Sequence, residues 1–191
     1  KAGAIEIVLV PTRYPAGGEK QLIQYVTRRE VPSGGMPYQA GAIVQNVATA
    51  RAVALALRDG EPAISRVVTV IGDPIAQPGN YLVPVGMTLD DLIQATGGFT
   101  QTPGKVVIGG AMMGEAQFDL QTPITKMSGG VLALSEAESH TPDSEPCIRC
   151  ARCVDVCPAQ LLPLRLEAFG MNERFDDARE FGALDCIECG S

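Results

Sequence analysis

At 191 residues and 46% apolar content, the chain is long enough to bury one or two cores and to carry a small appendage. A formal net charge of -7, aromatics at only 5% and no tryptophan exclude a nucleic-acid binder, because phosphates reward clustered Lys and Arg and bases need aromatic platforms. A membrane span of its own is excluded as well: such a helix needs about 18 uninterrupted apolar residues, and the best stretch, Ala42 to Leu57, contains Gln45, Asn46, Thr49 and Arg51.

The chain opens Lys1-Ala-Gly-Ala-Ile5, with neither an initiator methionine nor the zones of a signal peptide, and is expected to be an excerpt of a longer protein. Ile5 to Val10 is nearly all apolar and rich in β-branched residues, which predicts a strand covered on both faces as in a parallel sheet. After a turn at Pro11 to Gly18, the spacing of Leu22, Ile23 and Val26 predicts an amphipathic helix over Glu19 to Arg29, with Arg28 and Arg29 complementing its dipole. The glycines and prolines of Val31 to Gly41 predict a loop. Ala42 to Val44 reads as a brief strand. Asn46 to Arg58 reads as a helix with Val47, Ala50, Val53, Ala54 and Leu57 on its buried face, ended by Asp59-Gly60.

The period changes at Arg66. Arg66 to Ile71 and Tyr81 to Val85 are β-rich runs joined by a long connection containing Gly72, Pro74, Pro78 and Gly79, which predicts a hairpin. Thr88-Leu-Asp-Asp91 resembles a capping box with Asp in place of Glu, opening a helix that turns Leu89, Leu92 and Ile93 inward and ends at Gly97-Gly98. Lys105 to Ile108 and Val131 to Leu134 are expected to be short strands. Between them, Gly109-Gly110-Ala-Met112-Met113-Gly114 reads as a turn in which the methionines pack as flexible core filler. Ser135 to Pro146 is polar, acidic and broken by proline, which predicts a linker; it holds the one histidine, His140, with nothing nearby to orient it as a ligand or base.

All six cysteines follow. Cys147, Cys150, Cys153 and Cys157, the last followed by Pro158, have the spacing in which three thiolates wrap one 4Fe-4S cluster while the fourth ligates another. A second run opens at Cys186 and Cys189. By this logic Cys147, Cys150 and Cys153 hold one cluster, and Cys157 joins Cys186 and Cys189 on a second, each cluster lacking one ligand within this chain. The remaining ligands are expected beyond Ser191. Leu161 to Phe169 and Asp176 to Phe181 are predicted to be the helices between the runs. Arg149 and Arg152 flank the first run, where positive charge would raise a cluster's reduction potential, and they read equally well as solvated surface charges. Zinc is the first competitor, but its four-cysteine sites use two separate pairs without a third cysteine at the next two-residue step. Disulfides are the second, but disulfide scaffolds distribute their cysteines through small domains.

Arg13-Tyr14-Pro-Ala-Gly17-Gly18-Glu19-Lys20, Arg29-Glu-Val-Pro-Ser-Gly-Gly35, Val44-Gln45-Asn46-Val47-Ala48-Thr49, Ile148-Arg149, Pro158 to Pro163 and Asp185 to Gly190 together resemble the C subunits of Rnf-type electron-transport complexes over essentially the whole chain. Those subunits are similar in turn to the NADH-binding flavoprotein subunit of respiratory complex I. The resemblance implies an α/β fold class. Residues 1–65 would be the C-terminal part of an FMN- and NADH-binding α/β domain, 66–100 a soluble-ligand-binding β-grasp (SLBB) module, and 101–134 strands and turns returning to the flavin domain. A linker at 135–146 and an incomplete two-cluster ferredoxin-like α-helical domain at 147–191 would follow.

Carried over by position, the resemblance implies flavin contacts at Tyr14, Gly17, Gly18, Glu19, Val44, Gln45, Asn46 and Thr49. Gly18 replaces one family glutamate, Gln45 an asparagine and Ala48 another glutamate. The family's glycine-rich FMN-phosphate loop would precede Lys1; Gly17-Gly18-Glu-Lys20 lacks the spacing of a phosphate loop and reads as a turn. The implied cofactors are FMN, NAD(H) and two 4Fe-4S clusters. The implied activity is that of an NAD-linked oxidoreductase subunit, inactive as an excerpt, exchanging electrons with ferredoxin through partner subunits that couple the flow to ion translocation. Its implied location is peripheral, on the cytoplasmic face of the bacterial inner membrane. Two alternatives remain: a cobalamin-reductase-like protein whose SLBB module binds a corrinoid, and a ferredoxin-like shuttle with a structural upstream domain.

Overall fold

A computed structural model describes residues 5–143 and 145–191. In chain order its elements are helices α1 (Glu19–Thr27) and α2 (Val47–Asp59), strands β1 (Ser65–Ile71) and β2 (Gly79–Pro84), helix α3 (Leu89–Ala95), and strands β3 (Lys105–Ile108), β4 (Glu115–Gln117) and β5 (Gly130–Leu134). Helices α4 (Glu136–Ser139), α5 (Arg152–Val156), α6 (Pro163–Met171) and α7 (Phe175–Glu180) follow. They form two compact units: one takes the chain up to Gln45 together with Pro146–Cys189 and Ser191, the other Asn46–Glu145 and Gly190.

The second unit is a mixed five-stranded sheet in the order β2-β1-β5-β3-β4, with β1 and β5 parallel and the other pairs antiparallel. Val68 and Val70 of β1, Val83 of β2, Val106 of β3 and Val131 and Ala133 of β5 turn to one face, where Leu89, Leu92 and Ile93 of α3 close over them. Each of the valines, leucines and isoleucine among them contributes roughly 1.5–3 kcal/mol by leaving water. The helix begins where the sequence predicts, because the Thr88 hydroxyl accepts the Asp91 N–H at 3.0 Å and donates to the Asp91 carboxylate at 2.7 Å. This is the β-grasp arrangement, a helix across one face of a sheet whose first and last strands run parallel at its centre.

Several expectations are corrected in this unit. Residues 101–134 do not return to a flavin domain but complete the sheet, β5 lying between β1 and β3. Strand β4 was not legible, since Glu115-Ala-Gln117 has no β propensity and is strand only through pairing with β3 across the Gly109–Gly114 turn. Met112 and Met113 lie exposed on that turn rather than filling the core. The start of the supposed linker is helical: α4 opens with a capping box between Ser135 and Glu138, and a Cβ on Gly104 would strike its backbone at Glu136. In α2 no side chain is buried, and Val47 and Leu57 are 83% and 84% exposed. The helix forms from local signals, the Asn46 cap and the left-handed Gly60 (φ 70°) at its end.

The other unit is helical. Ile23 anchors α1, which ends at left-handed Arg28 rather than at Arg29, and the loop that follows contains a 3-10 turn over Pro37–Ala40, held by the Arg29 guanidinium on the Ala40 carbonyl at 3.2 Å. Phe169 of α6 is buried against Phe181 beyond α7, ring centroids 5.0 Å apart at 62°, with the Arg174 guanidinium 5.2 Å from the Phe169 ring. The strand expected at Ile5 to Val10 is irregular chain, with Ile5 and Leu9 each 93% exposed. Its apolar run pairs with no strand among the described residues, and β-branched composition without a neighbour does not make a ladder. Ala42 to Val44 is likewise irregular.

Candidate functional site

The cysteines sit on turns, not inside helices, with the exception of Cys153 in the short α5. In Cys147-Ile-Arg-Cys150 the third residue, Arg149, is left-handed (φ 57°) and its N–H donates to the Cys147 sulfur at 3.4 Å. In Cys186-Ile-Glu-Cys189 the third residue, Glu188, is left-handed (φ 52°) and its N–H donates to the Cys186 sulfur at 3.4 Å. The two turns are one design used twice. A third sulfur is served similarly: left-handed Gln160 (φ 55°) brings the Leu161 N–H to within 3.3 Å of Cys157 Sγ.

All six thiols are free, with Cys147, Cys150 and Cys186 exposed and Cys153, Cys157 and Cys189 half-buried. Among the described residues, no three cysteine, histidine, aspartate or glutamate side chains converge on one point that would hold a metal ion. The donor set nonetheless fits iron and sulfide, because backbone N–H groups aimed at sulfur stabilise thiolate charge, one of the levers by which proteins tune such clusters. Sequence spacing found the thiols. It did not find the amides, although the repeated Cys-Ile-x-Cys pattern was the available signal.

Two contacts tie the N-terminal segment to the second cysteine turn inside this unit. The Tyr14 hydroxyl donates to the Cys189 backbone carbonyl. The Ser33 hydroxyl donates to the Asp185 carboxylate, 2.8 Å from both of its oxygens. Neither partnership was visible in the sequence, since the paired residues are 175 and 152 positions apart. Beside them run two shallow grooves. One, of about 180 Å³, is lined by Arg13, Tyr14, Tyr25, Asp155 and Cys157 among others; the second, of about 260 Å³, has Lys20, Ser33, Pro158, Asp185 and Ile187 in its walls. Cys157 and Pro158 therefore border the same surface as the second turn.

Of the residues expected at a flavin, Tyr14, Gly17, Gly18 and Glu19 follow one another into the first turn of α1, Gly18 being its N-cap without a side chain to occupy the exposed N–H groups. Gly17 has nothing within 4 Å of where a Cβ would stand. Val44 and Gln45 belong to the same unit, whereas Asn46 and Thr49 belong to the other. Asn46 is occupied in capping α2, its side-chain oxygen accepting the Ala48 N–H at 2.9 Å, and Thr49 is exposed on the first turn of that helix. Small-molecule pockets span roughly 300–1,000 Å³, so the groove at Tyr14 fits one wall of a flavin site and not an enclosure. Glu138 in α4 is held below the usual carboxylate range by the Ser135 backbone N–H and then by its hydroxyl, the two bonds of the helix cap.

Three family profiles match the chain in order: the Nuo51 FMN-binding domain over residues 1–55, the SLBB domain over 67–116 and a 4Fe-4S dicluster domain over 140–191. Over 95% of its length the chain is 45% identical to the C subunit of the proton-translocating ferredoxin:NAD(+) oxidoreductase complex of Clostridium ljungdahlii, of which it covers 40%. It is 40% identical, again over 95% of its length, to the C subunit of the Na(+)-translocating ferredoxin:NAD(+) oxidoreductase complex of Acetobacterium woodii, covering 41% of that protein. To the C subunit of the ion-translocating oxidoreductase complex of Rhodobacter capsulatus it is 44% identical over 85% of its length, covering 31%. The chain thus spans less than half the length of these relatives.

Proposed function

We propose that this chain, similar over most of its length to the C subunits of ion-translocating oxidoreductase complexes, is the electron-transfer segment of a peripheral subunit that passes electrons between NAD(H) and a membrane-bound ferredoxin:NAD oxidoreductase complex. Its partners are then the other subunits of that complex, which carry ion translocation, on the cytoplasmic face of the bacterial inner membrane. No helix among the described residues is long and apolar enough to cross a membrane.

The carrying observation is the repeated cysteine turn, two Cys-Ile-x-Cys segments with the same left-handed residue and the same amide on the leading sulfur. A nicotinamide gives up two electrons as hydride while an iron-sulfur cluster takes one, and FMN when bound supplies the conversion between them. The chain's own residues do the positioning. Cys147, Cys150 and Cys153 offer thiolates to one cluster, and Cys157, Cys186 and Cys189 to a second. The Arg149, Leu161 and Glu188 amides stabilise the charge on three of these sulfurs. Tyr14, Gly17, Gly18, Glu19, Val44 and Gln45 contribute a wall on the flavin side, and the uncapped start of α1 presents N–H groups there.

Anaerobic preparation of the full-length subunit, followed by iron, acid-labile sulfide and flavin analysis, is expected to give two four-iron clusters and FMN, with the clusters bleaching on addition of NADH. Zinc without sulfide ends the reading. Corrinoid binding by the β-grasp unit, with clusters that NADH leaves oxidised, transfers it to the cobalamin-reductase alternative.

A further inference from the structure

The turns Cys147-Ile-Arg149-Cys150 and Cys186-Ile-Glu188-Cys189 share backbone conformation, an isoleucine at the second position and an amide-to-sulfur bond of 3.4 Å. They differ at one of the four positions, and there the charge is reversed. At the leading sulfur of each turn hydrogen bonding, ordinarily a main lever on cluster potential, is the same. The Leu161 amide on Cys157 is an additional bond on the second set, so what distinguishes the two turns themselves is the charge at the third position. Among the residues next to the two turns, Arg152 follows Cys150 by two positions, whereas Asp185 directly precedes Cys186. Asp155 stands midway between Cys153 and Cys157 and Glu145 two positions before Cys147, so the contrast rests on the turns themselves.

We infer that Arg149 and Glu188 are tuning residues that split the reduction potentials of the two clusters, the one held by Cys147, Cys150 and Cys153 lying above the one held by Cys157, Cys186 and Cys189. The inference rests on the assignment of the six cysteines as cluster ligands. A guanidinium beside a cluster favours the added electron and a carboxylate opposes it, by Coulomb interaction that falls with distance and with dielectric. The step so biased is the movement of one electron from the reduced second cluster to the oxidised first; no bond forms or breaks and no proton is required. The order suits the contacts, because Tyr14, in the segment matched by the FMN-binding profile, touches the second turn through the Cys189 carbonyl. An electron coming from that side meets the lower-potential cluster first and continues downhill.

Both charged side chains are exposed, so their influence must weaken as salt shortens the screening length from about 10 Å at 0.1 M to about 3 Å at 1 M. That salt dependence separates a charge effect from a change of shape. The test is a redox titration of the anaerobically prepared full-length subunit, followed by electron paramagnetic resonance at low and high salt, with iron and sulfide measured on every sample. Arg149→Glu is expected to lower the upper of two potentials and Glu188→Arg to raise the lower. Arg149→Gln and Glu188→Gln should give smaller shifts in the same senses, and all shifts should shrink at 1 M salt. Fully loaded variants whose potentials do not move, or move the same wave in the same direction, overturn the inference and leave the cluster assignment standing. A wild-type subunit without iron and sulfide overturns the assignment, and the inference with it.

Discussion

The hydroxyl of Tyr14 is hydrogen-bonded to the main-chain carbonyl of Cys189, joining a segment matched by an FMN-binding profile to the last cysteine turn. The resemblance had assigned Tyr14 to a flavin. Its hydroxyl is engaged by the main chain of a candidate cluster ligand, while its ring, 49% exposed, stays available to the groove beside it. Tyr14→Phe keeps the ring and removes the donor. It is expected to cost the helical unit about 0.5–1.5 kcal/mol, and to speed amide hydrogen exchange around Glu188 and Cys189 without affecting the β-grasp unit. Unchanged exchange in that turn counts against the contact.

Gly72, just past β1, has φ 124°, and a Cβ there would drive into the main-chain carbonyl of Ala133 on the neighbouring β5. Backbone cannot yield as a flexible side chain can. Gly72→Ala is expected to destabilise the sheet by roughly 2–5 kcal/mol, combining strain at a positive φ with overpacking. The decrease should appear as a lower thermal midpoint for the β-grasp unit. Gly110→Ala, where a Cβ meets nothing within 4 Å, is the control and should leave the stability of that unit within about 0.5 kcal/mol of wild type.

Sequence signals succeeded where formation is local. Thr88 with Asp91, Asn46 with Gly60, and the paired runs around β1 and β2 each carry their own cap, stop or turn, and each lies within two residues of where it was read. They failed where an element depends on a distant partner. Ile5 to Val10 has strand composition without a strand to join, and Glu115-Ala-Gln117 has a strand to join without strand composition. Periodicity in α2 placed Val47, Ala50, Val53, Ala54 and Leu57 on a buried face, yet all five lie exposed and the half-buried residues are Ala48, Ala52 and Leu55. The cysteine spacing likewise named the sulfurs, whereas the Tyr14 and Ser33 contacts to the second turn exist only after the chain has folded back on itself.

Phe169 is the anchor of the helices that separate the cysteine runs, 7% exposed, edge-on to Phe181 and beneath Arg174. The exposed Arg174–Asp177 pair beside it is worth little by itself, because water and salt screen an exposed ion pair. Phe169→Ala is expected to cost about 3 kcal/mol through lost burial and the cavity left behind. Phe169→Leu should cost less than about 1.5 kcal/mol. Urea unfolding of the holoprotein, followed by cluster absorbance, reads both. Equal losses from the two variants would mean that the ring's own contacts with Phe181 and Arg174, which leucine cannot replace, carry the anchor rather than its bulk.

Cys157 belongs to the first cysteine run by sequence and to the second turn by surroundings. It is the C-cap of α5, its backbone turning extended (φ -63°, ψ 114°) just before Pro158, so the chain leaves the helix at this residue. The groove on one side of it is lined by Tyr14, whose hydroxyl reaches the Cys189 carbonyl, and the groove at Pro158 is shared with Asp185 and Ile187. The proposed assignment gives a ligand so placed to the second cluster, just as the cysteine before proline ligates the other cluster in two-cluster ferredoxins. Cys157→Ala should therefore abolish the same paramagnetic component of the reduced protein as Cys186→Ala and spare the one that Cys147→Ala removes. Iron content is expected to fall by about half in each variant, one of two clusters being lost. If Cys157→Ala instead groups with Cys147→Ala, all four cysteines of the first run serve one cluster and the interleaved arrangement is wrong.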